Sequence, residues 1–182
     1  NIMFKDDKRP LFVHITKDEL PRIKTARQEI KGTGDYIGPF PDSRRLKSVL
    51  KRVRPIFPYC SCSMRRKNPC LYTDLGLCNP SAVMLEQDGS ESLDDKKLEY
   101  KKNISRLKMF LRGKVDRVVK LLEQEMKMYA DMLAYERAEG VKRQIRAITF
   151  LMQDKKSIGE YFTDRSLAGH LHRSQLKALS QF

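Results

Sequence analysis

The sequence predicts an α+β fold: a small strand-and-helix unit carrying a cysteine-rich loop, followed by an α-helical region that contains a helical hairpin. Three observations predict it. The stretch "LFVHIT" (11–16) sets Leu, Val and Ile in alternation with Phe, His and Thr, the period of a half-buried strand. Leu46, Val49, Leu50 and Val53 recur at helical spacing. From Leu93 to Leu151 the apolar residues keep a helical period almost without interruption.

The elements follow in order. After the first strand, "RIKTAR" (22–27) reads as a second, weaker one. The stretch "KGTGDYIGPFP" is punctuated by Gly32, Gly34, Gly38, Pro39 and Pro41 and reads as a turn with a short extended segment. Asp42 or Ser43 can cap the helix that carries Leu46 to Val53, and Pro55 and Pro58 end it. "NPSAVMLEQDGSES" has no periodicity and reads as a linker. Leu98, Ile104, Leu107, Phe110 and Leu111 then suit one face of a helix that Gly113 closes. A second helix carries Val115, Val118, Val119, Leu122, Met126 and Tyr129. A third begins near Leu133 and carries Tyr135, Ala138, Val141, Ile145, Ile148 and Leu151. The short break at "YADMLAYE" makes these two an antiparallel hairpin. The expected organisation is therefore 1–82 for the α+β segment, 83–92 for a linker, 93–155 for the helical region with its hairpin at about 115–150, and 156–182 for a basic helical tail.

Composition limits the partners. No apolar run is long enough to cross a bilayer, and "NIMFKDDKRP" is not a secretory leader, so a cytoplasmic location and no membrane are expected. The chain begins with Asn, which suggests a fragment. The net charge is +14 and unevenly spread. Between Asp42 and Lys67 stand Arg44, Arg45, Lys47, Lys51, Arg52, Arg54, Arg65, Arg66 and Lys67, with Asp42 the single acid. Such a local cluster can neutralise phosphates and release counterions. A solvated basic face is the plainer reading, but the scarcity of acid favours DNA, with Arg44, Arg45, Lys47, Lys51, Arg52, Arg65, Arg66 and Lys67 as the phosphate contacts.

All four cysteines, Cys60, Cys62, Cys70 and Cys78, fall within nineteen residues. Nothing marks the chain for an oxidising compartment, which disfavours disulfides. A core role is the bland alternative, yet a loop rich in Arg and Pro packs poorly by itself, and a bound metal would hold it. Four thiolates suit zinc or an iron–sulfur cluster, and neighbouring Arg65, Arg66 and Lys67 would favour thiolates for either. Spacing alone does not choose between them.

Catalytic signals are thin. Tyr36-Ile37-Gly38 matches the second half of the GIY-YIG nuclease signature, but no Gly-Ile-Tyr precedes it, and Pro39-Phe40-Pro41 should break the strand that the motif needs. His14 sits in a strand as a packed or surface residue. His170 and His172 would not share a helix face. The chain itself therefore reads as a binding module.

Taken together, four stretches resemble one family. "NIMFKDDKRPLFVHIT", "YIGPFPDSRRLKSVLKRVRPIFPYCSC", "NPCLYTDLGLCNPS" and "LAYERAEGVKRQI" resemble, in that order, parts of the UvrC family, the UvrC component of the bacterial UvrABC excinuclease, over residues 1 to about 153. The resemblance implies the central part of a nucleotide-excision-repair endonuclease, without the family's N-terminal GIY-YIG and C-terminal RNase H-like nuclease domains. It implies a UVR hairpin that docks UvrB of the same excinuclease, with Leu133, Tyr135, Glu136, Ala138, Lys142 and Ile145 on the motif's positions. Glu139 and Arg143 depart from it, standing where the family has alanine and aspartate. It also implies a four-cysteine [4Fe–4S] cluster, zinc being the alternative. Cys62, Cys70 and Cys78 match the first three ligand positions, whereas the fourth is Ser81. Cys60 would then supply the fourth thiolate, or the site has three ligands. The rival reading is a UVR-bearing regulatory adaptor with a structural zinc site and no part in incision.

Overall fold

Alternation in β1 (Leu11–Thr16) buries Leu11, Val13 and Ile15, and this strand lies at the centre of a three-stranded antiparallel sheet. The computed structural model describes residues 10–62, 70–78 and 93–153. On one side β1 pairs with β2 (Ile23–Ala26), Val13 opposite Thr25. On the other it pairs with β3 (Gly34–Phe40), His14 opposite Tyr36. The expected break at Pro39 does not occur, since β3 continues to Phe40. As an edge strand, β3 can place a proline where no ladder donor is required. Between the pairs Val13–Ile37 and Leu11–Phe40, β3 has one residue more than β1, a bulge at Gly38-Pro39. His14 stacks on Tyr36 with ring centroids 4.4 Å apart, a packed residue as expected.

Helix α1 (Ser43–Val53) starts at Asp42, whose carboxylate accepts from the backbone N–H of Arg44 (2.8 Å) and Arg45 (3.1 Å). The helix buries Leu46, Val49, Leu50 and Val53, the four residues the spacing singled out. The chain then turns through Ile56 and Phe57 towards the cysteines, and a single-turn helix, α2 (Leu71–Asp74), lies between Cys70 and Cys78.

Helix α3 (Leu93–Leu111) packs directly on this unit. The Phe57 and Phe110 rings meet at 5.9 Å, Asn103 donates to the Pro58 carbonyl, and Lys97 pairs with Glu19 at 3.0 Å. Lys108 pairs with Asp35 at the start of β3. Gly113 ends α3 in the left-handed conformation, φ 77°, as the sequence suggested. Helices α4 (Val115–Asp131) and α5 (Tyr135–Gln153) form the hairpin. The third helix starts two residues later than expected, because Leu133 occupies the turn at φ 59°. The hairpin packs on itself through Val118, Leu122, Val141 and Ile148, and on α3 through the 2.6 Å pair Arg106–Glu125. Gln144 of α5 reaches the Ile56 carbonyl, so strand unit and helices share one core. Among the described residues no helix is long and apolar enough to cross a membrane. The expected linker 83–92 and basic tail 156–182, with His170 and His172, lie outside the described residues.

Candidate functional site

Two arms of chain bring the four cysteines together. The first leaves α1 and carries Cys60 and Cys62. Cys60 is fixed through its backbone on both sides: its N–H donates to the Tyr100 hydroxyl (3.2 Å), and its carbonyl accepts from Ile23 N–H (2.8 Å). The Tyr100 hydroxyl itself donates to the Pro21 carbonyl at 2.6 Å. The second arm begins at Cys70, the residue before α2, and returns through Gly76 at φ 68° to Cys78, whose N–H donates to the Tyr72 carbonyl at 2.9 Å. All four cysteines are buried and none forms a disulfide.

The thiols are joined by hydrogen bonds to one another. The Cys78 thiol donates to Cys60 sulfur, which also receives Cys62 N–H and feels the Arg22 charge, so Cys60 falls far below the usual thiol range, to about 5. Cys78 is correspondingly raised by donating to Cys60 and by burial. Burial and donation to Cys70 push Cys62 up to about 12. Cys70 is held at about 7: burial opposes ionisation, but hydrogen bonds from Cys62 and Thr73 outweigh it. Among the described residues, no three Cys, His, Asp or Glu side chains are arranged as a metal-ion site. By donor type alone, four buried sulfurs are the set that a thiolate-bound group would need.

Beside this centre, α1 presents Arg44, Arg45, Lys47, Lys51 and Arg52 on its exposed face, Arg45 also pairing with Asp42 at 3.4 Å. Arg65, Arg66 and Lys67 lie outside the described residues. Arg54, which the sequence counts with the basic cluster, turns inward instead and is only 8% exposed. Its guanidinium lies 3.9 Å from the Tyr59 ring centroid and 4.2 Å from that of Tyr72. It also donates to the Tyr59 carbonyl and the Ser61 hydroxyl, both at 3.0 Å. Arg54 therefore ties one cysteine arm to the other. The tyrosines next to Cys60 and near Cys70 were the available signal, but nothing local paired them with this arginine.

The hairpin positions separate into two groups. Leu133 (70% exposed) and Tyr135 (65%) stand at the tip together with Met132, and Met128 is exposed on the helix leading to it. Glu136 and Lys142 are exposed on α5, while Ala138 is half-buried. Ile145 packs partly against the hairpin's own core. Glu139 pairs with Lys142 (3.9 Å) and Arg146 (3.5 Å). Away from all of these, a cleft of about 580 Å³ opens between the end of β1 and α3, and none of the sequence-predicted site residues lines it.

The family model for the middle domain of the UvrC/Cho excinuclease matches residues 11–87, from β1 through both cysteine arms. The UvrABC system protein C of Desulfitobacterium hafniense strain Y51 is 32% identical over 179 residues, covering 94% of this chain and 27% of the relative. The chain belongs to the UvrC family. The protein of the same name from Methanothermobacter thermautotrophicus is 33% identical over 153 residues, 84% of this chain and 25% of the relative. That of Streptococcus thermophilus is 32% identical over 171 residues, 93% and 27%. This UvrC-family chain thus spans about a quarter of the length of the curated relatives it matches. No solved structure matches it. The match to the middle-domain model includes every cysteine and the whole of α1, so the cysteine arms and the basic helix belong to one family unit.

Proposed function

We propose that this chain serves nucleotide-excision repair as the part of a UvrC excinuclease protein that contacts DNA through α1 and docks UvrB through the α4–α5 hairpin. On this reading the cysteine arms carry an iron–sulfur cluster, with zinc as the alternative, held by Cys60, Cys62, Cys70 and Cys78. A bound group would supply four metal–thiolate bonds that cross-link the two arms. The chain's own residues position its donors: Tyr100 and Ile23 hold the Cys60 backbone, and Arg54 joins the arms. No incision chemistry is assigned to these residues.

The observation that carries the proposal is the hairpin tip. Val118, Leu122, Val141 and Ile148 already complete the internal packing of the hairpin, so Met132, Leu133 and Tyr135 are not needed there and remain exposed together. An apolar patch on a helical hairpin suits a second helical surface. Leu133→Ser with Tyr135→Ser is expected to weaken binding to UvrB by at least about tenfold, the loss of more than one central apolar contact. Titration calorimetry against UvrB checks this, with circular dichroism to confirm unchanged helix content. Undiminished affinity would overturn the docking assignment.

The DNA reading has a separate test. Arg44, Lys47 and Lys51 are exposed on one face of α1, so Ala in all three should leave the fold intact. The slope of log K against log salt for duplex DNA should flatten by about 2.5–3, close to one counterion per lost cation. Fluorescence anisotropy across a salt series measures it, and an unchanged slope removes α1 from the interface.

A further inference from the structure

The face of the sheet turned away from the core carries three aromatic rings. Leu11, Val13, Ile15 and Ile37 face inward and share one core cluster with Leu46, Val49, Leu50 and Val53 of α1. Strand side chains alternate between faces, so Phe12, His14 and Tyr36 stand on the opposite face, and neither Phe12 nor Tyr36 belongs to that cluster. The rings are ordered. His14 and Tyr36, directly opposite across the strand pair, stack with centroids 4.4 Å apart and planes 7° from parallel. Phe12 meets Tyr36 edge-on, with 6.4 Å between centroids. Thr33 fixes both tips of the stack: its hydroxyl lies 2.8 Å from the Tyr36 hydroxyl, and its carbonyl 3.2 Å from His14 Nε2. The Thr33 hydroxyl in turn donates to the Ile30 carbonyl at 2.9 Å. Cations frame the rings. Exposed Lys24 pairs with His14 from β2, completing a row Lys24–His14–Tyr36 across all three strands. Lys17 donates its N–H to the Thr33 carbonyl at 3.1 Å, and Lys31 is exposed in the turn before Thr33. Of the nearby acids, Asp18 accepts from the Thr16 hydroxyl, Glu19 and Asp35 pair with lysines of α3, and Glu29 is exposed.

We infer that Phe12, His14 and Tyr36 form a stacking platform for the unpaired bases of single-stranded DNA, with Lys24 beside it for a phosphate. A flat base can join a parallel ring pair as a third member, and such stacking tolerates any sequence because every base has a π-face. β3 is an edge of the sheet, so a base can reach the Tyr36 ring from beyond the strand. A ring pair already aligned by Thr33 has little rotamer freedom left to lose on binding. The rim favours a nucleic acid over an apolar protein surface: exposed lysines surround rings whose tips are polar, and basic grooves with aromatic rings are what single strands bind. The inference rests on the DNA reading above and extends it from duplex to unpaired bases. Helix α1 does not supply this contact, because it lies on the other face of the sheet and has no aromatic residue. The two contacts can therefore be removed independently.

The test uses the full chain and fluorescence anisotropy. The probes are a labelled oligothymidine of about 12 nucleotides, a length in the range of single-strand sites, and the same strand with abasic sugars through its centre. Both strands carry the same phosphates, so their affinity ratio reports the bases alone. The wild-type chain is expected to prefer the intact strand by at least about fivefold, the lower end for one base–aromatic stack. Tyr36→Leu keeps an apolar side chain without a ring and should abolish the preference, whereas Tyr36→Phe keeps the ring and should retain most of it. Circular dichroism checks that both variants fold. A second measurement needs no variant: 2-aminopurine at the centre of the intact strand should lose emission on binding the wild-type chain, as the base stacks. Lys24→Ala should flatten the slope of log K against log salt by about 0.7, one phosphate contact on a single strand. Ala at Arg44, Lys47 and Lys51 should weaken both strands alike and leave their ratio unchanged. Equal wild-type affinity for the two strands, with 2-aminopurine emission unchanged, overturns this inference alone and leaves the rings to a protein contact. A preference that survives Tyr36→Leu overturns it as well. A wild-type chain that binds neither strand nor duplex overturns the DNA reading and this inference with it.

Discussion

Replacing Tyr100 with alanine is expected to cost the folded chain about 3–5 kcal/mol, the range for removing a large buried aromatic. The residue is 1% exposed and lies in the one core cluster shared by the sheet, the cysteine arms and the helices. Its hydroxyl adds a second effect. It accepts from Cys60 N–H and donates to the Pro21 carbonyl, groups forty and seventy-nine residues earlier in the chain. Tyr100→Phe keeps the ring and leaves both groups without this partner, for about 1–3 kcal/mol, the cost of stranding buried polar groups. The two variants therefore separate packing from hydrogen bonding at one position. Urea unfolding followed by far-ultraviolet dichroism reports the helices, and thiol labelling of Cys60 reports the first arm. A single shared transition, moved to lower urea in both variants, is the expected result. A loss below about 1 kcal/mol for the alanine variant, or arms and helices that unfold separately, would show that α3 is not what holds Cys60.

How much of this could be read from the sequence differs from element to element, for physical reasons. The alternation of 11–16 and the spacing Leu46–Val49–Leu50–Val53 report which face is buried, and both appeared as expected. Asp42 was legible as a cap because the capping carboxylate binds donors two and three residues away. Gly113 was legible because a left-handed helix end favours glycine. Partners distant in the chain leave no such trace. The sequence showed Tyr100 only as one more residue of a helical stretch, and nothing near it names Cys60 or Pro21. Arg54 was counted with its basic neighbours because charge can be read from the sequence while direction cannot. Pro39 was expected to end a strand, yet it sits on an edge where its missing N–H is not required. The cysteines were legible as a cluster, whereas their hydrogen-bonded pairing depends on how two arms meet, and spacing does not fix that.

Gly34→Ala is the second substitution expected to have a large effect, and it acts on the same docking of α3 from the other side. Gly34 opens β3 opposite Thr16 at φ 149°, a conformation that side chains rarely adopt. A Cβ placed there would stand 2.0 Å from the Ile15 carbonyl oxygen and 3.0 Å from the Thr16 Cα. Both neighbours are backbone of the central strand, so no rotamer change can make room. Either β3 separates from β1 at this end or Gly34 takes up new dihedrals and shifts the residues that follow it. Overpacking costs about 1–3 kcal/mol. Backbone strain adds about 1–3 kcal/mol more. Gly32 supplies the control: it also has positive φ, 85°, but a Cβ there meets nothing within 4 Å, so Gly32→Ala carries the strain without the collision. The difference between the two variants in urea unfolding isolates the steric part. Asp35 follows Gly34 and carries the ion pair to Lys108, whose hydrogen bond holds the Asp35 carboxyl below its ordinary range. Moving β3 should release that pair, so amide exchange in α3 near Lys108 is expected to rise in Gly34→Ala and not in Gly32→Ala. Equal stability of the two variants would mean that the start of β3 yields without cost, and that the sheet edge does not anchor the helix.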